Sequence, residues 1–300
     1  MRSRITTRHA TRIDYARRVE RAIAHIAAHL DAPLDLERLA AVACFSPCHF
    51  HRIYRYLAGE TAAETVRRLR LNRAAKALVD GAEPVGEIAR GAGYGDTVAF
   101  TRAFRSAYGV PPAAYRQRRR LAVLHGQEIH PMYRVEFREM APLRLAAIRH
   151  VGPYIGIGPC FDRLGAWAEA RNITRGDARM VGIYHDDPGS VPAAALRSDA
   201  GVTLDAAAEA AVAAECADDG PIRLLTLDGG RHAVILHRGP YAELERAYRW
   251  LYQDWLPGSG EEAADRPCFE VYLNSPRSLP PADWLTEIHL PLAGTAPRAV

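Results

Sequence analysis

The feature that most constrains this chain is a helical pattern that occurs twice. Residues 88–116 read IARGAGYGDTVAFTRAFRSAYGVPPAAYR. The pattern predicts a short helix over 88–93, a tight turn, and a second helix that Asp96 caps. Phe100 and Phe104 are four residues apart, so they would share the buried face of the second helix. Two helices joined by such a turn form the layout of a helix-turn-helix reader of the DNA major groove.

The second copy precedes it in the chain. Residues 39–68 read LAAVACFSPCHFHRIYRYLAGETAAETVRR. The aligned pairs are Ser46 with Asp96, Phe50 with Phe100, Arg52 with Arg102, Tyr54 with Phe104, and Gly59 with Gly109. One helix over about 62–80 would join the copies. Twin copies are far more specific than one, because many positions must agree at once.

On these residues the chain resembles the AraC/XylS family of transcription regulators, over about residues 14–118, and we assign 12–118 to that domain. The resemblance implies an all-α domain that sets two recognition helices into successive major grooves of double-stranded DNA. The residues expected to face DNA are Pro47, Cys48, His51, Arg52 and Arg55, and Thr97, Val98, Thr101, Arg102 and Arg105. Cys44 stands where the second copy has Gly93, so a turn that needs positive φ would be strained there.

The distribution of charge points to the same part of the chain. Residues 1–120 hold 22 Lys and Arg against 11 Asp and Glu, a net charge of +11, and the remainder carries −7. A basic region is the electrostatic signature of a phosphate-binding surface. The acidic second part is therefore expected to avoid nucleic acid.

Cysteine usage and hydropathy exclude several other classes. Five cysteines with no C-x-x-C pair argue against a disulfide framework. The run from Cys44 to His51 lacks metal-ligand spacing, so neither metal nor cofactor is expected. The first residues lack the apolar core of a signal peptide, and no apolar run approaches 18 residues. A cytoplasmic protein with no membrane partner is expected.

The chain changes character between about residues 118 and 127, and a second repeat follows. RLAAIRHVGPY at 144–154 returns as RHAVILHRGPY at 231–241. Each copy reads as a strand, a Gly-Pro-Tyr turn and a helix, so the pattern predicts a duplicated α/β unit. Two such halves form a cleft where they meet. The repeated pair His150 and His237 favours a structural role at the strand end.

Two later segments, PCFEVYLN at 267–274 and LTEIHLP at 285–291, alternate as strands. Glu270 and Tyr272 would then face away from Phe269 and Val271. Here the chain resembles the GyrI-like effector-binding domain, over about residues 130–293. The resemblance implies two antiparallel sheets with helices around an apolar cleft, in which Glu270 draws cationic aromatic ligands. The alternative is that Glu270 is a solvent-facing strand carboxylate.

The expected ligand-binding residues are Glu270, Tyr272, Tyr154, Tyr241, Trp167, Tyr184 and His289. The sequence thus predicts an all-α double helix-turn-helix domain followed by a duplicated α+β domain with antiparallel sheets. We expect a sequence-specific DNA-binding regulator that responds to a small-molecule effector, with RNA polymerase as a further candidate partner. The alternative is a GyrI-like hydrolase of reactive small molecules fused to a DNA reader. No nucleophile elbow, metal-ligand spacing or phosphate loop favours an enzyme.

Overall fold

The first domain consists of helices in the order that the repeats predict. The computed structural model describes residues 2–117, 133–174, 176–216 and 220–293. The helices are α1 (Arg2–Ala28), α2 (Leu36–Val42), α3 (Pro47–Ala58), α4 (Ala62–Asp80), α5 (Val85–Gly91) and α6 (Thr97–Tyr108), and residues 112–117 are also helical. Helix α4 joins the two helix-turn-helix units, as predicted. The expected domain boundary at 118–127 lies outside the described residues.

Each recognition helix begins and ends with the same local devices. Ser46 caps α3 by accepting from the backbone N–H of His49, and Asp96 caps α6 by accepting from Ala99. Both helices end at a glycine in the left-handed conformation, Gly59 with φ 75° and Gly109 with φ 76°. These caps confirm the predicted helix starts and explain why glycine recurs at the equivalent ends.

The first turn of each unit requires positive φ, as the comparison of Cys44 with Gly93 suggested. Cys44 has φ 54° and Gly93 has φ 80°. At Gly93 a side chain would also overlap the guanidinium of Arg70, which donates to the carbonyls of Leu30 and Ala32. At Cys44 the neighbouring Arg18 instead donates to the Cys44 carbonyl. Hence the first unit tolerates a side chain that the second cannot accommodate.

The second domain is one antiparallel sheet with helices on one face. Its strands are β1 (Val135–Met140), β2 (Leu143–Val151), β3 (Met180–Tyr184), β4 (Arg197–Thr203), β5 (Arg223–Leu227), β6 (Gly230–Arg238), β7 (Cys268–Tyr272) and β8 (Leu285–Pro291). Their order is β1-β6-β8-β7-β3-β4-β2-β5. The expectation of two sheets is corrected here: β3 of the first half pairs with β7 of the second, which makes the sheet continuous.

Two connections of only two residues link strands from the two ends of the sheet order. Residues 141–142 join β1 to β2, and residues 228–229 join β5 to β6. These strand ends therefore lie close together, and the sheet curves into a half-barrel. The inner face is filled by an apolar cluster that includes Leu145, Val181 and Phe269, all nearly inaccessible to solvent.

The helices of this domain pack on the other face in two groups. Helices α7 (Gly158–Ala170) and α8 (Ala206–Val212) cover the first half. Helix α9 (Leu244–Arg249), a π-helical turn (Trp250–Trp255) and α10 (Leu256–Ser259) cover the second half. No helix among the described residues is both long and apolar enough to cross a bilayer.

The two domains share an apolar core. Ala166 and Ala170 of α7 belong to the same buried cluster as Ala16, Val19 and Ile23 of α1. At the end of this contact Arg12 forms an ion pair with Glu169, at 3.1 Å. The second domain therefore packs directly against the helices that carry the first recognition unit.

Candidate ligand cleft and nucleic-acid interface

A buried carboxylate with three tyrosine partners lies at the centre of the sheet. The Glu270 side chain projects from β7 on the helix-covered face and is 2% exposed. It accepts hydrogen bonds from the hydroxyls of Tyr272 at 2.7 Å, Tyr248 at 3.1 Å and Tyr184 at 3.3 Å. The alternation of β7 thus confirms that Glu270 and Tyr272 share a face, and the carboxylate does not face bulk solvent.

The duplication explains how two of these tyrosines converge. Gly182 pairs with Glu270 across the β3–β7 ladder, and Met180 pairs with Tyr272. Tyr184 follows Gly182 by two residues in β3, as Tyr272 follows Glu270 by two residues in β7. Gly182 and Glu270 therefore occupy equivalent positions of the two halves, and only one of them carries a carboxylate.

Burial changes the acidity of Glu270. Removal from water raises the pKa of the carboxyl from 4.5 to about 7, against the lowering effect of the three tyrosine hydroxyls. The same burial, together with the Glu270 charge, raises the pKa of each tyrosine well above its usual value. All three hydroxyls therefore stay protonated donors near neutral pH, while the carboxyl titrates there.

Glu270 lines a cleft of about 2110 Å³ that also reaches the first domain. Its aromatic walls include Tyr154, whose ring meets Tyr184 edge-on at 4.8 Å, and Tyr241, whose ring lies 5.3 Å from Tyr272. Phe161 contributes a further ring, 5.1 Å from that of Tyr272. Residues of helix α4 also line the cleft. A carboxylate amid aromatic rings is the environment that stabilises an organic cation, because ring faces add cation–π attraction.

Two predicted ligand-binding residues lie elsewhere, and this part of the prediction is corrected. Trp167 points into the apolar cluster beneath α7, where Arg171 lies over its ring at 4.6 Å. His289 projects from β8 on the inner face, stacked on Phe269 at 4.5 Å with Nε2 3.3 Å from Glu287. The rotation of α7 and the pleat of β8 direct these side chains away from the cleft.

Tyr248 was not among the residues predicted to contact Glu270. Its position on the amphipathic helix after the HRGPY turn indicated only that it could be buried. Helix α9 directs the hydroxyl onto a carboxylate 22 residues further along the chain. The repeated histidines do support the turns: His150 Nε2 lies 3.0 Å from the Pro153 carbonyl, and His237 is 1% exposed beside Gly239.

The recognition helices present their predicted faces to solvent. On α3 the exposed residues include Pro47, Cys48, His51, Arg52 and Arg55. On α6 they include Thr97, Val98, Arg102 and Arg105, and Thr101 is half-buried. The second domain covers neither surface, so both remain accessible to a DNA duplex.

Two family matches together span most of the chain. Residues 133–293 match the family described as the GyrI-like small molecule binding domain, and residues 39–118 match a helix-turn-helix domain family. The chain belongs to the GyrI-like family and carries an AraC-type helix-turn-helix domain in front of it. It therefore combines a helix-turn-helix DNA-binding domain with a small-molecule-binding domain.

Similar proteins exist for each part. The DNA gyrase inhibitor of Yersinia enterocolitica is 33% identical over 141 residues, which are 47% of this chain and 86% of that protein. The MmsAB operon regulatory protein of Pseudomonas aeruginosa is 36% identical over 95 residues, 32% of this chain and 31% of that protein. The structural alignment with EcmrR in a cryo-EM structure of an EcmrR–DNA complex covers 83% of this chain and 83% of that chain, at 18% identity and a TM-score of 0.45.

Proposed function

We propose that this regulator binds specific DNA sites through α3 and α6 and responds to a monocationic aromatic small molecule held at Glu270. One observation carries the proposal. A chain with two exposed, arginine-bearing recognition helices also holds a buried carboxylate that lines an aromatic cleft. The functional units are proposed at residues 12–118 and 130–293. Contact with RNA polymerase stays a prediction.

The energetics favour a cation over a neutral ligand. A buried, ionised carboxylate is costly unless an opposite charge compensates it. Three tyrosine hydroxyls compensate Glu270 in part, because each supplies a hydrogen bond but no positive charge. A ligand cation would supply the missing charge, and the surrounding rings would add about 0.5–2 kcal/mol of cation–π attraction.

The arginines of the first domain have different proposed roles in DNA binding. Arg52 and Arg102 occupy equivalent exposed positions, from which a guanidinium can bind guanine O6 and N7. Exposed arginines of the first domain outside α3 and α6 would contact phosphates and set the salt dependence of binding. We propose direct base contacts for the ten exposed or half-exposed residues of α3 and α6 named above.

The experiment that tests the function has two arms. Selection of bound duplexes from a random DNA pool, with and without tetraphenylphosphonium, is expected to recover one bipartite site whose yield changes with the cation. Calorimetry is expected to show binding of tetraphenylphosphonium, and much weaker binding of neutral triphenylphosphine oxide. Glu270→Gln should weaken cation binding while the selected DNA sequence stays the same. A protein that recovers no preferred sequence, or that binds both probes equally, would contradict the proposal.

The hydrolase alternative has one observation in its favour. A carboxyl with a pKa of about 7 is suited to general-base catalysis at neutral pH. Hydrolysis of p-nitrophenyl acetate distinguishes the two functions. A hydrolysis rate at least tenfold higher in the wild-type protein than in Glu270→Gln would favour the enzyme. Equal hydrolysis rates in the two proteins would favour ligand sensing.

A further inference from the structure

A buried network of four charged side chains connects the two domains beside the cleft. Arg68 of α4 donates to Glu60 at 2.5 Å and to Asp162 of α7 at 2.8 Å. Arg277, in the loop after β7, donates to the same carboxylate at 2.7 Å. The side chains of Arg68, Glu60 and Asp162 are 12%, 9% and 5% exposed. Arg277 is 24% exposed and reaches the surface, so two positive and two negative charges balance one another with three of them largely away from water.

On its first-domain side, the network reaches a recognition helix. Glu60 follows Gly59, which ends α3. Thr65 of α4 donates to Glu60 at 2.8 Å and accepts from the hydroxyl of Tyr54 at 2.9 Å. Tyr54 lies on the buried face of α3 and is inaccessible to solvent. The position of α3 is therefore linked through hydrogen bonds to the same carboxylate that holds Arg68.

On the other side, the network reaches the carboxylate at the centre of the sheet. Phe161 precedes Asp162 on α7, and its ring meets Tyr272 edge-on at 5.1 Å. Tyr272 donates to Glu270 at 2.7 Å. Arg68, Asp162 and Glu270 all line the cleft. A ligand in contact with Phe161 and Tyr272 would therefore lie beside Asp162, the residue of α7 that belongs to the network.

We propose that Arg68 and Asp162 are the positioning residues that couple occupancy of the cleft to the placement of α3 on DNA. The inference rests on the proposed function. Packed interiors rearrange between discrete states and do not deform continuously, so a ligand that displaces Phe161 shifts Asp162 as well. A cation in the cleft would also repel Arg68 and Arg277. Because a buried charge cannot be left unpaired, Glu60 and α3 must follow Arg68.

The test is a linkage measurement on the full chain. Affinity for the selected DNA duplex is measured with and without tetraphenylphosphonium in wild type, Asp162→Asn, Arg68→Lys and Arg12→Met. Arg12→Met is the control, because it removes an interdomain ion pair that is separate from the network; Arg12 itself does not line the cleft, although its partner Glu169 does. The wild-type ratio of the two affinities is expected between about 5 and 150. Asp162→Asn and Arg68→Lys should bring it within about twofold of unity, while Arg12→Met should retain it.

Each outcome decides one part of the inference. Because linkage is reciprocal, DNA must change the affinity for tetraphenylphosphonium by the same factor. Calorimetry and thermal denaturation show whether each variant is folded and binds the probe. A ratio retained in both folded network variants overturns the role of Arg68 and Asp162, as does loss of the ratio in Arg12→Met. Tight probe binding with no effect on DNA in wild type overturns the coupling but leaves the ligand site, whereas no probe binding contradicts the proposed function itself.

Discussion

Gly182 and Glu270 are partners across the β3–β7 ladder, and the missing side chain of Gly182 leaves the space that two tyrosine hydroxyls fill. A Cβ at Gly182 would lie 2.8 Å from Tyr272 Oη and 3.0 Å from Tyr184 Oη. The first distance is shorter than carbon and oxygen tolerate, and the second is tighter than most such contacts. The glycine is therefore part of the arrangement that places donors on the carboxylate.

Gly182→Ala is expected to displace at least one hydroxyl from Glu270. Loss of a charge-assisted hydrogen bond costs about 1.5–3 kcal/mol, so the carboxylate form becomes less favourable. We expect roughly tenfold weaker binding of tetraphenylphosphonium at pH 7, measured by calorimetry. Gly258→Ala is the control, because no atom lies within 4 Å of a Cβ there. Equal losses in both variants would refute the role of Gly182.

Cation binding should depend on pH in a direction that Glu270 sets. The carboxyl must be ionised to attract the ligand, and its pKa is raised to about 7. Affinity for tetraphenylphosphonium should therefore rise as pH increases towards 7 and level off above it. The affinity of Glu270→Gln should not vary over the same range. Glu20→Gln is the control, since Glu20 has a similarly raised pKa in α1 but does not line the cleft.

Stability should change with pH in the opposite direction. Between pH 4.5 and about 7 the folded protein retains a proton on Glu270 that the unfolded chain has released. The contribution of Glu270 to the free energy of unfolding therefore falls as pH rises through this window, by on the order of 3 kcal/mol, whereas buried His237, whose pKa is lowered to about 4, contributes in the opposite direction. In denaturant titrations the stability of wild type relative to Glu270→Gln should therefore fall between pH 4.5 and about 7. Parallel curves for the two proteins would mean that Glu270 has an ordinary pKa.

The two recognition helices should read separate parts of one site. Arg102→Ala is expected to relax preference at one base pair by about 1–3 kcal/mol, and Arg52→Ala at another base pair about one helical turn away. Sequencing of duplexes selected by each variant measures both effects. Arg238→Ala in the second domain should leave the preference unchanged. If either recognition-helix variant selects the wild-type sequence, that arginine makes no base contact.

The two turns should respond differently to substitution. Cys44→Gly relieves left-handed strain of about 1–2 kcal/mol but adds freedom to the unfolded chain, so we expect a net gain of about 0.5 kcal/mol. Gly93→Ala introduces that strain and displaces Arg70, and should lower the free energy of unfolding by about 2 kcal/mol or more. Chemical denaturation measures both. Similar effects at the two positions would contradict the different packing around them.

Local periodicity accounts for what the sequence predicted. Caps at Ser46 and Asp96 depend on a few neighbouring residues, and the strand period of two fixes which side chains share a face with Glu270. Both kinds of prediction concern residues that are close together in the sequence, where backbone geometry allows few alternative conformations. The helix-turn-helix units and the orientation of the central carboxylate could therefore be predicted.

The remaining features depend on how distant segments pack. Arg68 and Asp162 are 94 residues apart in the chain. The sequence around either residue does not predict that the two side chains meet. Trp167 was expected in the cleft as an aromatic wall, but periodicity does not determine which face of its helix meets which neighbour. The single sheet likewise depends on pairing between β3 and β7, which two similar halves do not by themselves specify.

The apolar cluster shared by α1 and α7 predicts that the two family modules fold and unfold as one unit. Cutting the chain between them would expose Val19, Ile23 and Ala170, which no solvent reaches in the intact protein. Heat should therefore melt both modules in a single calorimetric transition, and a ligand bound to one should raise the melting temperature of the other. A substitution that destabilises the ligand-binding module would then also destabilise the DNA-binding module.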